Sequence, residues 1–160
     1  MSATPPEQLT LVTRSAAETQ VLGRALMELL PDGALVALFG DLGAGKTCFV
    51  RGMAETAGMA ERVTSPTFTL VHEYRGQRTL YHLDLYRITA PEQVLDLGYE
   101  DLFDPKDGVC VVEWAERAED MLPERRVDIR LAHEKGDSRR IEIENRKLLP
   151  AGWERRVGPV

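Results

Sequence analysis

The chain holds only two cysteines, Cys48 and Cys110, among 160 residues, too few for a disulfide framework. No C-x-x-C or H-x₃-H spacing occurs, which argues against a metal centre built from Cys and His. The longest apolar runs fall far short of the ~20 residues of a membrane-spanning helix. Met1 to Glu7 shows neither the basic nor the apolar stretch of an export signal. These absences set the expectation of a cytoplasmic chain, with its thiols reduced and no membrane contact. There is no G-x-S-x-G elbow, and neither cysteine has an obvious activating partner. His72, His82 and His133 are scattered, with nothing to mark them as a catalytic set.

Positive charge is also scarce, and unevenly so. The net charge is −6, yet residues 135–160 carry seven Lys and Arg against four Asp and Glu, leaving thirteen against twenty-two in the first 134. An acidic body argues against broad nucleic-acid binding by this chain alone. The basic tail, with Arg139, Arg140, Arg146, Lys147, Arg155 and Arg156, reads as a solvated strand and, over about 146–160, a frayed end. The competing reading is a contact with phosphate or an acidic partner.

What the chain does have is Gly40-Asp41-Leu42-Gly43-Ala44-Gly45-Lys46-Thr47, a full match to the phosphate-binding pattern G-x-x-x-x-G-K-[ST]. In such a loop successive backbone N–H groups turn inward onto the phosphates, and the glycines permit the dihedrals this needs. Lys46 would reach the β/γ-phosphates and the Thr47 hydroxyl would bind Mg²⁺. The apolar run Ala34–Phe39 precedes the loop and Lys46–Ala57 reads as the helix after it, the strand–loop–helix setting the motif requires. The expected ligand is therefore a nucleoside triphosphate.

The remaining elements follow from periodicity and punctuation. Leu9–Val12 reads as a strand, then Ser15 as a helix N-cap with Glu18 three residues on. Pro31-Asp32-Gly33 stops that helix. Val63 to about Tyr74 reads as extended, Gly76-Gln77 as a hairpin turn, and Thr79–Leu85 as a strand. Ala90–Asp96 and Tyr99–Phe103 read as short helices. Gly108–Glu113 is nearly all apolar, the mark of a strand covered on both faces. Ala115–Met121 reads as helical, and a final strand pair, Arg126–Leu131 and Arg139–Glu144, flanks the turn at Lys135-Gly136-Asp137. The sum predicts one α/β domain over residues 1–160, a three-layer P-loop NTPase-like fold with a mixed sheet.

A phosphate loop needs a carboxylate at the end of a neighbouring strand to complete its Mg²⁺ site. Asp84 and Glu113 each close an apolar strand, and spacing alone does not say which is the ligand. Thr64–Thr69 lies where P-loop proteins place a γ-phosphate-sensing segment, although Ser65-Pro66-Thr67 is also ordinary turn chemistry. Trp114, directly after Glu113, is either an anchor beside the phosphates or a core residue.

The phosphate loop, Ser65–Val71, His82-Leu83-Asp84-Leu85-Tyr86-Arg87 and Val112-Glu113-Trp114-Ala115-Glu116 occur in that order, and together they resemble the bacterial TsaE (YjeE) family. The resemblance covers about residues 9–145. It implies a weak ATPase that supports transfer of threonylcarbamoyl to adenosine 37 of tRNAs reading codons that begin with A. By the same resemblance the transfer chemistry belongs to a partner transferase subunit with its companion subunit, and tRNA is met only through that complex. The implied cofactors are ATP or ADP and Mg²⁺. Thr47 and Glu113 resemble the metal ligands, with Lys46, Asp84 and Glu113 as the catalytic set. Gly43, Ala44, Gly45, Lys46, Thr47 and Cys48 resemble the nucleotide cradle, bordered by Ser15, Ala16 and Gly136 and approached by Asp84. Ser65 and Thr67 would lie in a switch-like loop, and Trp114 near the site. The family commonly has a second Thr where this chain has Cys48, a weaker donor. That exchange implies at most a modest loss of nucleotide affinity, since a neutral hydrogen bond contributes about 0.5–1.5 kcal/mol.

Two other functions compete: a small-molecule kinase on the same scaffold, and a nucleotide-gated docking module that does not hydrolyse. A GTPase is disfavoured, since Asp104-Pro105-Lys106-Asp107 does not match the guanine-reading N-K-x-D pattern.

Overall fold

The computed structural model describes residues 7–41, 43–59, 63, 71–90, 92–96 and 98–157. Ser65 and Thr67, with the rest of the expected switch-like loop, lie outside these residues, as does Leu42.

Strand β1 (Glu7–Thr13) precedes helix α1 (Ala16–Leu29), and β2 (Leu35–Phe39) runs into the glycine loop and α2 (Lys46–Ala54). A hairpin of β3 (Val71–Tyr74) and β4 (Thr79–Asp84) comes next, then the single-turn helices α3 (Glu92–Leu95) and α4 (Tyr99–Leu102). Strand β5 (Gly108–Glu113), a 3₁₀ segment (Ala115–Met121), a second hairpin of β6 (Arg126–His133) and β7 (Arg139–Arg146), and α5 (Trp153–Val157) complete the order.

The seven strands form one sheet in the order β1-β7-β6-β2-β5-β4-β3. β2 pairs in parallel with both β5 and β6, and β4 in parallel with β5, while β1, β3 and β7 join antiparallel. This is the expected mixed sheet. Because β2, β4 and β5 share a direction, the glycine loop, Asp84 and Glu113 all emerge at the same edge. Register places Asp84 opposite Glu113 and Glu113 opposite Leu38.

Alternation along the central strands divides the core in two. Val36, Leu38, Val109 and Val111 point into a cluster with α1 and α2, whereas Leu35, Ala37, Cys110 and Val112 point into one with Ala115, Ala118 and Phe103. Every residue of β2 and β5 is buried, as their unbroken apolar runs predict. Cys110 sits mid-strand in the second cluster, where burial pushes its thiol far above the ordinary range, so it is a packing residue.

Ser15 caps α1 as the sequence indicates, its hydroxyl accepting from the Glu18 amide at 3.1 Å. Helices α1 and α2 cross so closely that a Cβ on Gly52 would stand 1.9 Å from the Gln20 carbonyl oxygen. That contact locks α2, and with it the loop at its start, against α1.

Three expectations need correction. The helix after the loop changes to a 3₁₀ turn at Glu55–Ala57. The segment 115–121 is 3₁₀ with a break at Ala118 (φ −144°, ψ 32°). The tail differs most from the frayed end read from its charge. Asn145 accepts from the Leu148 and Leu149 amides at 2.9 and 2.8 Å, which turns the chain back over α1. Trp153 is then fully buried and donates its indole N–H to Glu7, and Val157, four residues on, buries beside it.

Candidate functional site

The loop from Phe39 to Lys46 needs backbone that few residues supply. Gly43 and Gly45 have φ of +80° and +103°, in the region glycine enters without strain. Nothing lies within 4 Å of the place a Cβ on Gly43 would occupy, and Gly43 is exposed, so the loop is open to solvent there. The first helical hydrogen bond runs from the Phe49 amide to the Gly45 carbonyl at 3.0 Å. The amides of Lys46, Thr47 and Cys48 precede that bond, and such N-terminal amides have no acceptor inside their own helix. An anion fits here on both counts, and the helix dipole favours it further.

Lys46 is buried, and its ammonium donates to the carbonyl oxygens of Gly40 and, at 3.5 Å, Asp41. On its other side the Trp114 ring centroid lies 3.6 Å away. Burial holds its pKa below the ordinary lysine value, opposed by the carboxylates of Glu113, Glu116, Asp84 and Asp41. Trp114 itself is half-buried, packs its ring 5.0 Å from that of Tyr86, and takes the left-handed backbone region (φ 57°, ψ 43°). A non-glycine residue is held there only where its surroundings over-determine it. The two readings of Trp114 therefore merge: it packs against the second core cluster and covers the site lysine.

Thr47 directs its hydroxyl to Glu113, 3.3 Å from Oε1 and 3.5 Å from Oε2. Glu113 is 2% exposed. Asp84, also buried, accepts from the Tyr86 amide at 2.9 Å through Oδ1. A hydroxyl and a carboxylate side by side are hard oxygen donors, the set Mg²⁺ takes while keeping several waters and phosphate oxygens. Among the described residues no group of three or more His, Cys, Asp or Glu is placed to hold a metal, which agrees with so sparse a set.

The flanking residues reach the loop through intermediaries. Cys48 Sγ donates to the Ala16 carbonyl at 3.1 Å, so the thiol ties α2 to the start of α1 beside Ser15. Burial raises the Cys48 pKa, against the pull of Arg51 and Arg139. Gly136, at the β6–β7 turn, accepts from His133 Nε2 at 2.7 Å and Arg139 Nη1 at 3.4 Å. Arg139 in turn donates Nη2 to the Gly43 carbonyl at 3.3 Å. Its Nε is buried with no hydrogen-bond partner among the described residues, a second cation beside the loop and on the side away from Glu113.

The sequence reading named Arg139 only as one cation of the basic tail that could touch phosphate, and it missed His82. A two-residue turn at Gly76-Gln77 would set residue 72 opposite residue 81; the observed register is one residue longer and sets it opposite His82. Two of the three histidines, His72 and His82, are thereby neighbours, with ring centroids 6.4 Å apart. Burial, and then His82, hold the His72 imidazole below its ordinary pKa.

A glycine loop between a central parallel strand and a helix, with acids ending the next two strands, is the architecture of the P-loop NTPase-like class of α/β proteins. The family model described as threonylcarbamoyl adenosine biosynthesis protein TsaE matches residues 13–141, and the chain belongs to this family. It is 48% identical over 120 residues to the tRNA threonylcarbamoyladenosine biosynthesis protein TsaE of Treponema pallidum, covering 75% of this chain and 88% of that one. The protein of the same description from Bacillus subtilis is 40% identical over 136 residues, 84% of each. The crystal structure of B. subtilis YdiB superposes with a TM-score of 0.74 at 34% identity, covering 90% of this chain and 89% of that one. No helix among the described residues is long and apolar enough to cross a membrane.

Proposed function

We propose that this chain is a weakly hydrolysing, Mg²⁺-dependent ATPase that supports threonylcarbamoyl modification of tRNA adenosine 37, acting with the transferase subunit and its companion. The observation that carries this reading is the 3.3 Å contact between Thr47 and Glu113 at the mouth of the glycine loop. The biosynthetic assignment rests on family membership, and the site of action on the cell's cytoplasmic tRNA follows from it.

The loop amides and Lys46 bind the triphosphate, and Arg139 adds positive charge at the loop's other flank. Thr47 and Glu113 hold Mg²⁺, which when bound neutralises charge on the β- and γ-phosphoryl oxygens. Asp84 accepts a hydrogen bond from the attacking water and so orients it. That water forms the new bond to the γ-phosphorus as the bridge to the β-phosphate breaks, giving ADP and phosphate. To serve in this, the Lys46 ammonium must exchange the Gly40 and Asp41 carbonyls for phosphate oxygens beneath Trp114. On this reading the need for that exchange slows unaided turnover, and a partner that moves the Trp114 segment speeds it.

Glu113→Ala separates this reading from a docking module that does not hydrolyse. It is expected to abolish both ATP hydrolysis and tRNA modification when assayed with the purified transferase complex and tRNA. Intact modification by the variant would retire the enzymatic role.

A further inference from the structure

Glu113 does not stand alone behind Thr47. His82 Nε2 lies 2.5 Å from Glu113 Oε2, and the histidine is fully buried. The opposite ring nitrogen, Nδ1, is 3.3 Å from the Tyr74 hydroxyl, which is itself 3.3 Å from His72 Nδ1. We propose that His82 is a positioning residue for Glu113, holding one carboxylate oxygen back so that the other faces Thr47 and the metal, with Tyr74 fixing the imidazole tautomer. This inference rests on the reading of Glu113 as a Mg²⁺ ligand.

The argument begins with register. His82 pairs with Val111 and Asp84 with Glu113, so His82 reaches Glu113 along the diagonal between neighbouring strands. Alternation puts His82 on the face of Leu80, and Glu113 on the face of Val111, both turned to the cluster that includes α2. An ionised carboxylate only accepts, so His82 donates from Nε2. A neutral ring protonated there leaves Nδ1 an acceptor, and the Tyr74 hydroxyl donates to it. The Tyr74 oxygen then accepts from His72 Nδ1–H. Donation runs one way along the row, from the β3–β4 hairpin into the metal site.

The consequence is geometric. A glutamate side chain has three rotatable bonds, and a ligand that must meet a metal at fixed distance is disordered unless its second oxygen is held. Here Oε2 is held by His82 and Oε1 is the oxygen nearer Thr47, at 3.3 Å against 3.5 Å. Groups that orient a metal ligand in this way typically change metal affinity or activity about 10–100-fold when removed.

The test measures ADP binding by calorimetry, in EDTA and across a Mg²⁺ series, for the parent, His82→Leu, His82→Gln, Tyr74→Phe and Glu113→Gln. His82→Leu is expected to weaken Mg²⁺ affinity of the nucleotide-loaded protein about 10–100-fold, with ADP affinity in EDTA unchanged. His82→Gln, which restores a donor near Nε2, should recover most of the loss, and Tyr74→Phe should show a smaller weakening of the same kind. Unchanged Mg²⁺ affinity in His82→Leu, or an equal loss in EDTA, would overturn the proposal. If the leucine variant does not fold, Tyr74→Phe decides: parent-like Mg²⁺ affinity there counts against the proposal. Glu113→Gln separates the failures, because parent-like Mg²⁺ affinity there sinks the metal-site reading itself.

Discussion

Replacing Lys46 with alanine is expected to lower ATP turnover by on the order of 10²–10³-fold, the scale of losing one preorganised charge at a developing anion. Nucleotide affinity should fall with it. Lys46 is the one cation carried by the loop motif itself, and its ammonium already sits against the Gly40 and Asp41 carbonyls under the Trp114 ring. Burial has weakened its hold on a proton, and four nearby carboxylates offset this only in part. An anion arriving in the loop supplies the missing counter-charge, so lysine and triphosphate stabilise each other. The alanine variant keeps the glycine backbone and the Thr47–Glu113 contact, and should fold with an empty, non-productive cradle. Steady-state hydrolysis with the transferase complex, beside circular dichroism of the free protein, checks both halves. Turnover within a few-fold of the parent would mean that the loop does not bind the reacting phosphates.

Trp153→Ala is expected to destabilise the protein by about 3–5 kcal/mol, the usual loss for emptying a buried aromatic site. At about 2–4 °C per kcal/mol for a chain of this size, the Tm falls by roughly 6–20 °C. The indole is completely enclosed, its N–H is bonded to Glu7 on β1, and α5 packs on α1. The substitution thus removes packing and, among the described residues, one of the two donors to the Glu7 carboxylate, leaving the Asn145 side chain at 3.0 Å. Thermal unfolding read by circular dichroism measures the shift. A change within about 0.5 kcal/mol, the range of ordinary surface substitutions, would restore the frayed tail that charge counting suggested.

That tail shows where sequence reading loses information. Residues 146–160 were judged by Arg146, Lys147, Arg155 and Arg156, yet Leu148, Leu149, Trp153 and Val157 carry the packing. Trp153 and Val157 are one helical turn apart, a visible apolar stripe, but five residues give periodicity too short a window. The turn that brings α5 home depends on the Asn145 side chain and on Lys147 at φ 62°, neither of which pattern reveals.

Elsewhere the chain was legible because its physics is local. A Gly-x-x-Gly-x-Gly-Lys-Thr loop has few other uses, and the unbroken apolar runs of β2 and β5 declare strands covered on both faces. From parallel strands it follows that their terminal acids share an edge, and Asp84 and Glu113 do. Spacing alone did not decide between them, and only the family resemblance pointed to Glu113. The choice depends on the reach of Thr47 across the gap, and the structure sets that hydroxyl against Glu113. The 3₁₀ form of 115–121 was hidden as well: it starts from the left-handed backbone of Trp114, whose ring contacts Lys46 and Tyr86 from elsewhere in the chain. The histidine row was not legible, since the hairpin register is one residue off what a two-residue turn at Gly76-Gln77 gives, and its meaning appears once Glu113 is known to lie at its end.

The most direct measurement of the central claim is calorimetric titration of ADP and ATP, with Mg²⁺, into the purified full-length protein. The account predicts a saturable heat for one site per chain, weakened when Mg²⁺ is withdrawn and lost in Lys46→Ala. No heat with either nucleotide, from protein shown to be folded, would contradict it.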